Sequence, residues 1–243
     1  MVDIHTHIIP NIDDGAQSVE DSFEIFKEAY SEGFSEIFLT PHYIKGYYET
    51  DTYVREVWVK SIQDTLDKLK IPIKVYIGNE IYISEDMDEL ILKNQVSSLN
   101  DSRYVLFELP MNSQIKYLDE IIFKIFNIDK IPIIAHPERY SYVKKDIFIV
   151  RKLKEKGVLF QSNYGSILDM YGKDSRKTLE KLLKENLIDF LGSDVHRPNS
   201  IYNNIKKSKE KLKKILGEKR LEDLTTINPK KIILNEEIYK LKV

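Results

Sequence analysis

The sequence predicts an α/β fold in which parallel strands alternate with helices. Seven short runs of β-branched and aromatic residues are separated by longer stretches whose apolar residues follow a helical spacing. This alternation is typical of βαβ units, and seven of them favour a barrel. A doubly wound open sheet is the alternative, but no glycine-rich phosphate loop follows the first run.

The predicted strands are these seven runs, taken in chain order. They cover residues 2–5, 36–42, 73–80, 104–110, 131–137, 158–163 and 188–194. The stretch between the third and fourth runs is predicted to be an excursion from the alternation of strands and helices, and a short hairpin is one structure that it could contain.

Six helices are predicted between and after the strands. The first begins after Ser18, a favourable N-cap, and ends at Gly33, which suits a helix C-terminus. The others span 51–69, 116–127, 146–156, 174–185 and 200–216. Since no repeat, low-complexity tract or linker interrupts the pattern, we expect one domain over residues 1–243.

Composition narrows the classes of function. The 243 residues are 42% hydrophobic and 31% charged with a net charge of −2, which excludes general disorder and predicts no nucleic-acid partner. The chain has no cysteine, so disulfides, thiolate metal sites and a cysteine nucleophile are excluded. Neither a signal peptide nor an apolar stretch of about 18 residues is visible, so we expect a cytoplasmic protein without membrane insertion.

All five histidines lie at or just beyond the carboxyl ends of predicted strands. His5 and His7 end the first run, His42 the second and His136 the fifth, and His196 follows the seventh by two residues. Alternate strand positions point the same way, so His5 and His7 can face one site. In a parallel barrel the carboxyl ends of the strands share one face, where the active site forms. We therefore expect the histidines to converge.

Four acidic residues belong to the same predicted face. Glu80 and Glu108 come from the third and fourth runs, Asp194 from the seventh, and Asp14 from the loop after the first. Imidazole and carboxylate without sulfur suit zinc, manganese or iron. Nine ligands exceed the needs of one ion, so we expect two or three ions with bridging carboxylates. Such a cluster can activate water and hold a phosphate for displacement at phosphorus.

Two arginines stand beside candidate ligands. Arg139 follows His136 in "AHPERY", and Arg197 follows His196 in "DVHRPNS". The planar guanidinium suits bidentate binding of phosphate, whereas a surface ion pair is the alternative role for each.

Two weaker features lie near the same face. Gln161 and Asn163 end the sixth run, where they could line the pocket or orient a ligand. The aromatic residues after His42, in "HYIKGYYETDTY", either pack the loop or form a wall for an aromatic substrate group.

Six segments together resemble the polymerase-and-histidinol-phosphatase (PHP) superfamily. They are "DIHTHIIPNIDDG", "TPHYIKGYYET", "GNEIYI", "LNDSRYVLFELP", "IAHPERY" and "GSDVH". More narrowly, they resemble its metal-dependent bacterial protein-tyrosine phosphatases of the capsule-biosynthesis CpsB/YwqE type. The resemblance extends from residue 2 to the "NPKKIILNE" segment. It implies a distorted seven-stranded (β/α) TIM-like barrel and a trinuclear Mn²⁺ site, with iron, zinc or cobalt as alternative metals.

The resemblance also implies a role for each candidate residue. Three sets of metal ligands follow from it: His5, His7, Glu80 and Asp194 for one ion; Glu80, Glu108 and His136 for a second; and Asp14, His42 and His196 for a third. Arg139 and Arg197 would bind the substrate phosphate in the catalytic step.

The implied activity is hydrolysis of phosphotyrosine on a membrane-associated bacterial tyrosine autokinase that controls capsule or exopolysaccharide synthesis. A phenol has a pKa of about 10, so its departure needs little proton transfer and no dedicated general acid is expected. Two alternatives stay open: a small-molecule phosphomonoesterase such as a histidinol-phosphate phosphatase, and a non-catalytic metal-stabilised scaffold. A nuclease is disfavoured because the chain lacks a basic patch.

Overall fold

A computed structural model describes residues 1–239 of the chain and shows a mixed α/β architecture, as predicted. Its strands are β1 (Val2–Asp3), β2 (Glu36–Leu39), β3 (His42–Tyr43), β4 (Lys74–Ile77), β5 (Glu80–Tyr82), β6 (Tyr104–Glu108), β7 (Ile131–Ala135), β8 (Leu159–Asn163) and β9 (Phe190–Gly192). Its α-helices are α1 (Val19–Ser31), α2 (Thr52–Lys68), α3 (Met87–Leu92), α4 (Leu118–Asn127), α5 (Ser141–Lys145), α6 (Phe148–Glu155), α7 (Lys173–Lys184), α8 (Ile205–Glu222) and α9 (Asn228–Ile233). The predicted domain also includes residues 240–243, which lie outside the described residues.

The strands correspond to the seven predicted runs, two of which are interrupted. Pro41 separates β2 from β3, and Gly78 lies between β4 and β5. A Cβ at Gly78 would lie 2.8 Å from a side-chain carbon of Leu99, so a larger residue at this break would displace the Leu99 side chain. All pairings are parallel, in the orders β1-β2-β4 and β3-β5-β6-β7-β8-β9.

The segment after β1 lies between the two sheets. Thr6 forms a parallel bridge with Val195, beyond β9. The carbonyl of Thr6 also accepts a hydrogen bond of 2.9 Å from the backbone N–H of Thr40, beyond β2. The ladders nevertheless form two sheets within residues 1–239, so the closed barrel stays a prediction.

Alternate strand residues supply two buried clusters. Tyr104 and Leu106 of β6 belong to a smaller cluster, whereas Val105 and Phe107 belong to the larger one, which includes helix residues. Because side chains alternate along a strand, Glu108 continues the series of Tyr104 and Leu106 at the carboxyl end of β6. The same alternation that buries the apolar residues therefore places this carboxylate on the predicted face.

The six predicted helices are present with shifted ends, and the first is confirmed in detail. Ser18 Oγ accepts a hydrogen bond of 3.0 Å from the N–H of Asp21, and Gly33 has a φ of 86°. The short helices α3, α5 and α9 were not predicted. The excursion contains α3 instead of a hairpin, because Met87 and Leu90 bury one helical face.

None of the helices between residues 1 and 239 has both the length and the apolar character that crossing a membrane requires.

Candidate metal centre

The nine predicted ligands lie together at the carboxyl ends of the strands. β3 and β5 pair with His42 opposite Glu80, and Glu108 ends the neighbouring β6. Six of the nine residues are buried: His5, His7, Glu80, Glu108, His136 and Asp194. The side chains of His42, His196 and Asp14 are 12%, 28% and 56% exposed and form the open edge of the site.

The donor atoms form three overlapping groups, in each of which all atoms lie within 4.8 Å of one another. The groups are His5, His7, Glu80 and Asp194; His42, Glu80 and Glu108; and His7, Asp14, His42 and His196. The first coincides with the first predicted set. His136 adjoins the second, with Nε2 2.8 Å from Glu80 Oε1 and 3.9 Å from Glu108 Oε2. The first two groups share Glu80, whose two carboxylate oxygens can bridge two ions, whereas the third group shares only histidines with them.

Several nitrogen and oxygen atoms of the cluster lie close together without forming hydrogen bonds that satisfy them all. The Nε2 atoms of His5 and His7 lie 3.2 Å apart, and Glu80 Oε2 lies 3.1 Å from His5 Nε2. Glu80 Oε2, His42 Nδ1 and His136 Nδ1 are buried and have no hydrogen bond of acceptable geometry to any part of the described chain. Unpartnered buried polar atoms are costly, and a divalent cation would satisfy the convergent ones. The donor set therefore fits a metal.

Burial and the charges packed within the cluster together shift the pKa values of its members. Although burial opposes ionisation, the charges of His5 and His42 hold the pKa of Glu80 well below its usual range. Burial, and then the charge of Glu80, raise the pKa of Glu108 to about 9. Burial lowers the pKa of His42 to about 4. A bound cation would reverse the electrostatic part of the shift at Glu108.

Asp13 is a site residue that the sequence reasoning missed. Its buried carboxylate accepts hydrogen bonds from His7 Nδ1 at 2.8 Å, from the N–H of His42 at 2.9 Å and from the N–H of Gly15 at 2.8 Å. Placing the His7 proton on Nδ1 leaves the Nε2 lone pair directed at the cluster. The signal was the acidic pair in "DDG", from which only Asp14 was selected.

Gln161 and Asn163 contact candidate ligands, a placement that favours the second of the two roles considered for them. Gln161 Oε1 lies 2.8 Å from His5 Nδ1, and Gln161 Nε2 donates to Asn163 Oδ1 at 2.9 Å. Asn163 Nδ2 in turn donates to Asp194 Oδ2 at 2.7 Å. A Cβ at Gly192 would lie 2.9 Å from both Gln161 Nε2 and His5 Cβ, so glycine is required for this approach.

The two predicted arginines are placed differently. Arg139 is half-buried, donates from Nη1 to Asp194 Oδ2 at 2.7 Å, and holds its guanidinium 4.5 Å from the ring centroid of Tyr171. Arg197 is exposed, and its Nη1 donates to the backbone carbonyl of Asp14 at 2.6 Å. Arg139 thus contacts a candidate ligand side chain, whereas Arg197 lies along the loop that carries another. Phosphate binding by either stays a prediction.

Residues 1–234 match the family model described as capsular polysaccharide synthesis, CpsB/CapC. Tyrosine-protein phosphatase YwqE of Bacillus subtilis is 31% identical over 240 residues, covering 99% of this chain and 94% of its own. Tyrosine-protein phosphatase CpsB of Streptococcus pneumoniae is 30% identical over 244 residues, covering 98% of this chain and 100% of its own.

Solved structures show the same likeness. A crystal structure from work on YwqE of Bacillus subtilis and CpsB of Streptococcus pneumoniae, described as metal-dependent tyrosine phosphatases, superposes with a TM-score of 0.93 at 31% identity. It covers 98% of this chain and 96% of its own. Histidinol phosphate phosphatase of Lactococcus lactis superposes with a TM-score of 0.57 at 18% identity, covering 88% and 94%, a likeness of fold alone.

Proposed function

This chain belongs to the CpsB/CapC family of capsular polysaccharide synthesis, and we propose that it is a metal-dependent tyrosine-protein phosphatase, as its relatives are named. The observation that carries the proposal is the set of overlapping ligand groups in which Glu80 is shared. A scaffold that needed only a structural ion would require four ligands, not nine. The proposed role of the enzyme is in capsule or exopolysaccharide synthesis.

We propose that the three groups hold three manganese ions. Histidine and carboxylate donors without sulfur support this choice and also leave iron, zinc and cobalt as alternatives. When bound, such ions neutralise the charge of a phosphoryl group and make water a nucleophile near neutral pH. The chain contributes the fixed donor geometry, through Asp13 behind His7 and Gln161 behind His5.

Arg139 is proposed to bind the phosphoryl oxygens. Its Nη1 is engaged by Asp194 and its central guanidinium carbon lies over the ring of Tyr171, and these two contacts restrict its orientation before substrate arrives. Arg197 is proposed to assist from the loop that carries Asp14. The phenolate can leave without a general acid, since its conjugate acid has a pKa of about 10.

The proposed substrate is a phosphotyrosine-containing protein, namely a membrane-associated bacterial tyrosine kinase that the enzyme meets in the cytoplasm. The names of the relatives support a phosphotyrosine substrate, and the family's description supports a setting in capsule synthesis. We also propose that the seven strand positions form one distorted barrel domain. The bridge between Thr6 and Val195, which joins the segments beyond β1 and β9, supports that arrangement.

The test is phosphate release from a phosphotyrosyl peptide by metal-stripped protein before and after manganese is added. Manganese-restored turnover of the peptide, with slower turnover of histidinol phosphate run in parallel, is the expected result. His136→Ala should abolish it, whereas Lys173→Ala, at an exposed position of α7, should not. A preference for histidinol phosphate would mean that the substrate is a small phosphate ester instead of a phosphoprotein. Full activity of His136→Ala would contradict the metal mechanism.

A further inference from the structure

The loop after β3 places an aromatic ring over the open edge of the metal centre. The rings of Tyr48 and His42 have centroids 6.2 Å apart and planes only 10° apart. His42 belongs to two of the three ligand groups. Tyr48 is half-buried and lies beside a candidate ligand at the exposed edge of these groups.

Backbone bonds hold this ring in place. The N–H of Ile44 donates to the carbonyl of Tyr48 at 2.9 Å, and the N–H of Tyr48 donates to the carbonyl of Ile44 at 2.8 Å. Gly46 closes the turn with a φ of 78°, a conformation that glycine adopts without strain. Lys45 at the tip forms an ion pair with Asp86, the residue before α3. The loop is thus tied at its base and at its tip.

A second ring supports Tyr48 from outside. Tyr47 meets it nearly perpendicularly, with centroids 4.6 Å apart and planes 72° apart. Tyr47 itself is 74% exposed. Exposing so much aromatic surface beside a polar cluster is unexplained by core packing, since neither ring belongs to a buried hydrophobic cluster of residues 1–239.

We propose that Tyr48 packs against the phenyl ring of the substrate and makes the site selective for aryl over alkyl phosphate esters. This inference rests on the proposed function, because it assumes that the phosphoryl group binds at the three ligand groups. A phosphoryl group beside His42 would carry its ester group towards the open edge, where Tyr48 lies. Aromatic pairs favour offset or edge-to-face contact, which a fixed tyrosine ring can offer to an incoming phenyl group.

The test compares two inhibitors that differ only in the ring. Dissociation constants of phenylphosphonate and methylphosphonate are measured by calorimetry on manganese-loaded protein, for the wild type and for Tyr48→Leu. Tyr48→Leu should raise the dissociation constant of phenylphosphonate by roughly threefold to tenfold, the range for one aromatic pair. Methylphosphonate binding and the manganese content should stay at the wild-type values. Tyr48→Phe should bind phenylphosphonate as the wild type does, and Tyr53→Leu, at a 72% exposed position of α2, is the matched control.

Other outcomes separate this inference from the proposed function. Equal weakening of both phosphonates, or loss of manganese, would show that Tyr48 only positions His42 and would overturn the inference. An unchanged phenylphosphonate constant would also overturn it. Failure of the wild type to hydrolyse a phosphotyrosyl peptide would instead refute the proposed function, because phosphonate binding is measured without turnover.

Discussion

Asp13 accepts a hydrogen bond from His7 across 2.8 Å, and both side chains are buried beneath the metal centre. The carboxylate keeps the His7 proton on Nδ1 and leaves Nε2 free for a metal. Asp13→Asn should lower manganese affinity by about tenfold to hundredfold, because the amide can donate to Nδ1 and move the proton to Nε2. Metal titration of stripped protein would measure this.

Asp174→Asn is the matched control for that substitution, since Asp174 is exposed on α7. Its manganese affinity should equal that of the wild type. If Asp13→Asn also keeps wild-type affinity while Asp14→Asn does not, the tautomer argument is wrong and Asp13 serves only the fold.

Glu138 organises the end of β8 from beneath Arg139. It is fully buried and accepts hydrogen bonds from Ser162 Oγ at 2.7 Å, Ser166 Oγ at 2.6 Å and the N–H of Asn163 at 2.9 Å. Glu138→Ala would leave these donors buried and unpaired. We expect the free energy of unfolding to fall by about 2–4 kcal/mol, measured by urea denaturation.

The exposed Glu120→Ala on α4 controls for loss of a carboxylate and should change the free energy of unfolding by less than about 0.5 kcal/mol. A similarly small change for Glu138→Ala would mean that water replaces the lost acceptor at all three donors.

The strand positions could be predicted because both strand faces are buried, so each strand reads as a short apolar run. The interruption at Gly78 could not, because it depends on which neighbours approach the backbone, whereas Pro41 lacks the N–H that a continuous strand needs. The sequence likewise did not show whether Asp13 or Asp14 would support His7. Adjacent residues have similar chemistry, and the loop conformation decides that one supports His7 while the other lies at the open edge.

Two further site residues depend on unusual backbone conformations. His136 and Asp194 have φ values of 34° and 55°, in the left-handed region that non-glycine residues rarely adopt. Strand alternation therefore does not fix the direction of either side chain. Their types and positions at strand ends predicted a shared site, but their orientations follow only from tertiary contacts such as that between Asp194 and Arg139.

Arg139→Lys tests the proposed binding of phosphate. Lysine keeps the positive charge but loses the planar pair of donors and the contact with Tyr171. We expect kcat/KM for a phosphotyrosyl peptide to fall by roughly tenfold to hundredfold, with manganese content unchanged. Arg151→Lys is the matched control, because Arg151 forms an exposed pair with Glu185. If Arg139→Lys has wild-type kinetics, Arg139 orients Asp194 and does not bind the substrate.

Metal binding should release protons, and the raised pKa of Glu108 determines the direction in which stability changes with pH. Burial and then the charge of Glu80 raise its pKa to about 9, so near pH 7 the metal-free protein holds Glu108 protonated. A proton retained by the folded state and lost on unfolding makes stability decrease as pH rises from about 4.5 towards 9. Manganese replaces that proton, so the metal-loaded protein should lack this decrease.

Calorimetry in buffers of different ionisation enthalpy would count the protons, and thermal melts across this range would follow the stability. Glu108→Gln, which cannot titrate, should release fewer protons and flatten the pH profile of the metal-free protein; an unchanged count would assign the protons to the histidines instead.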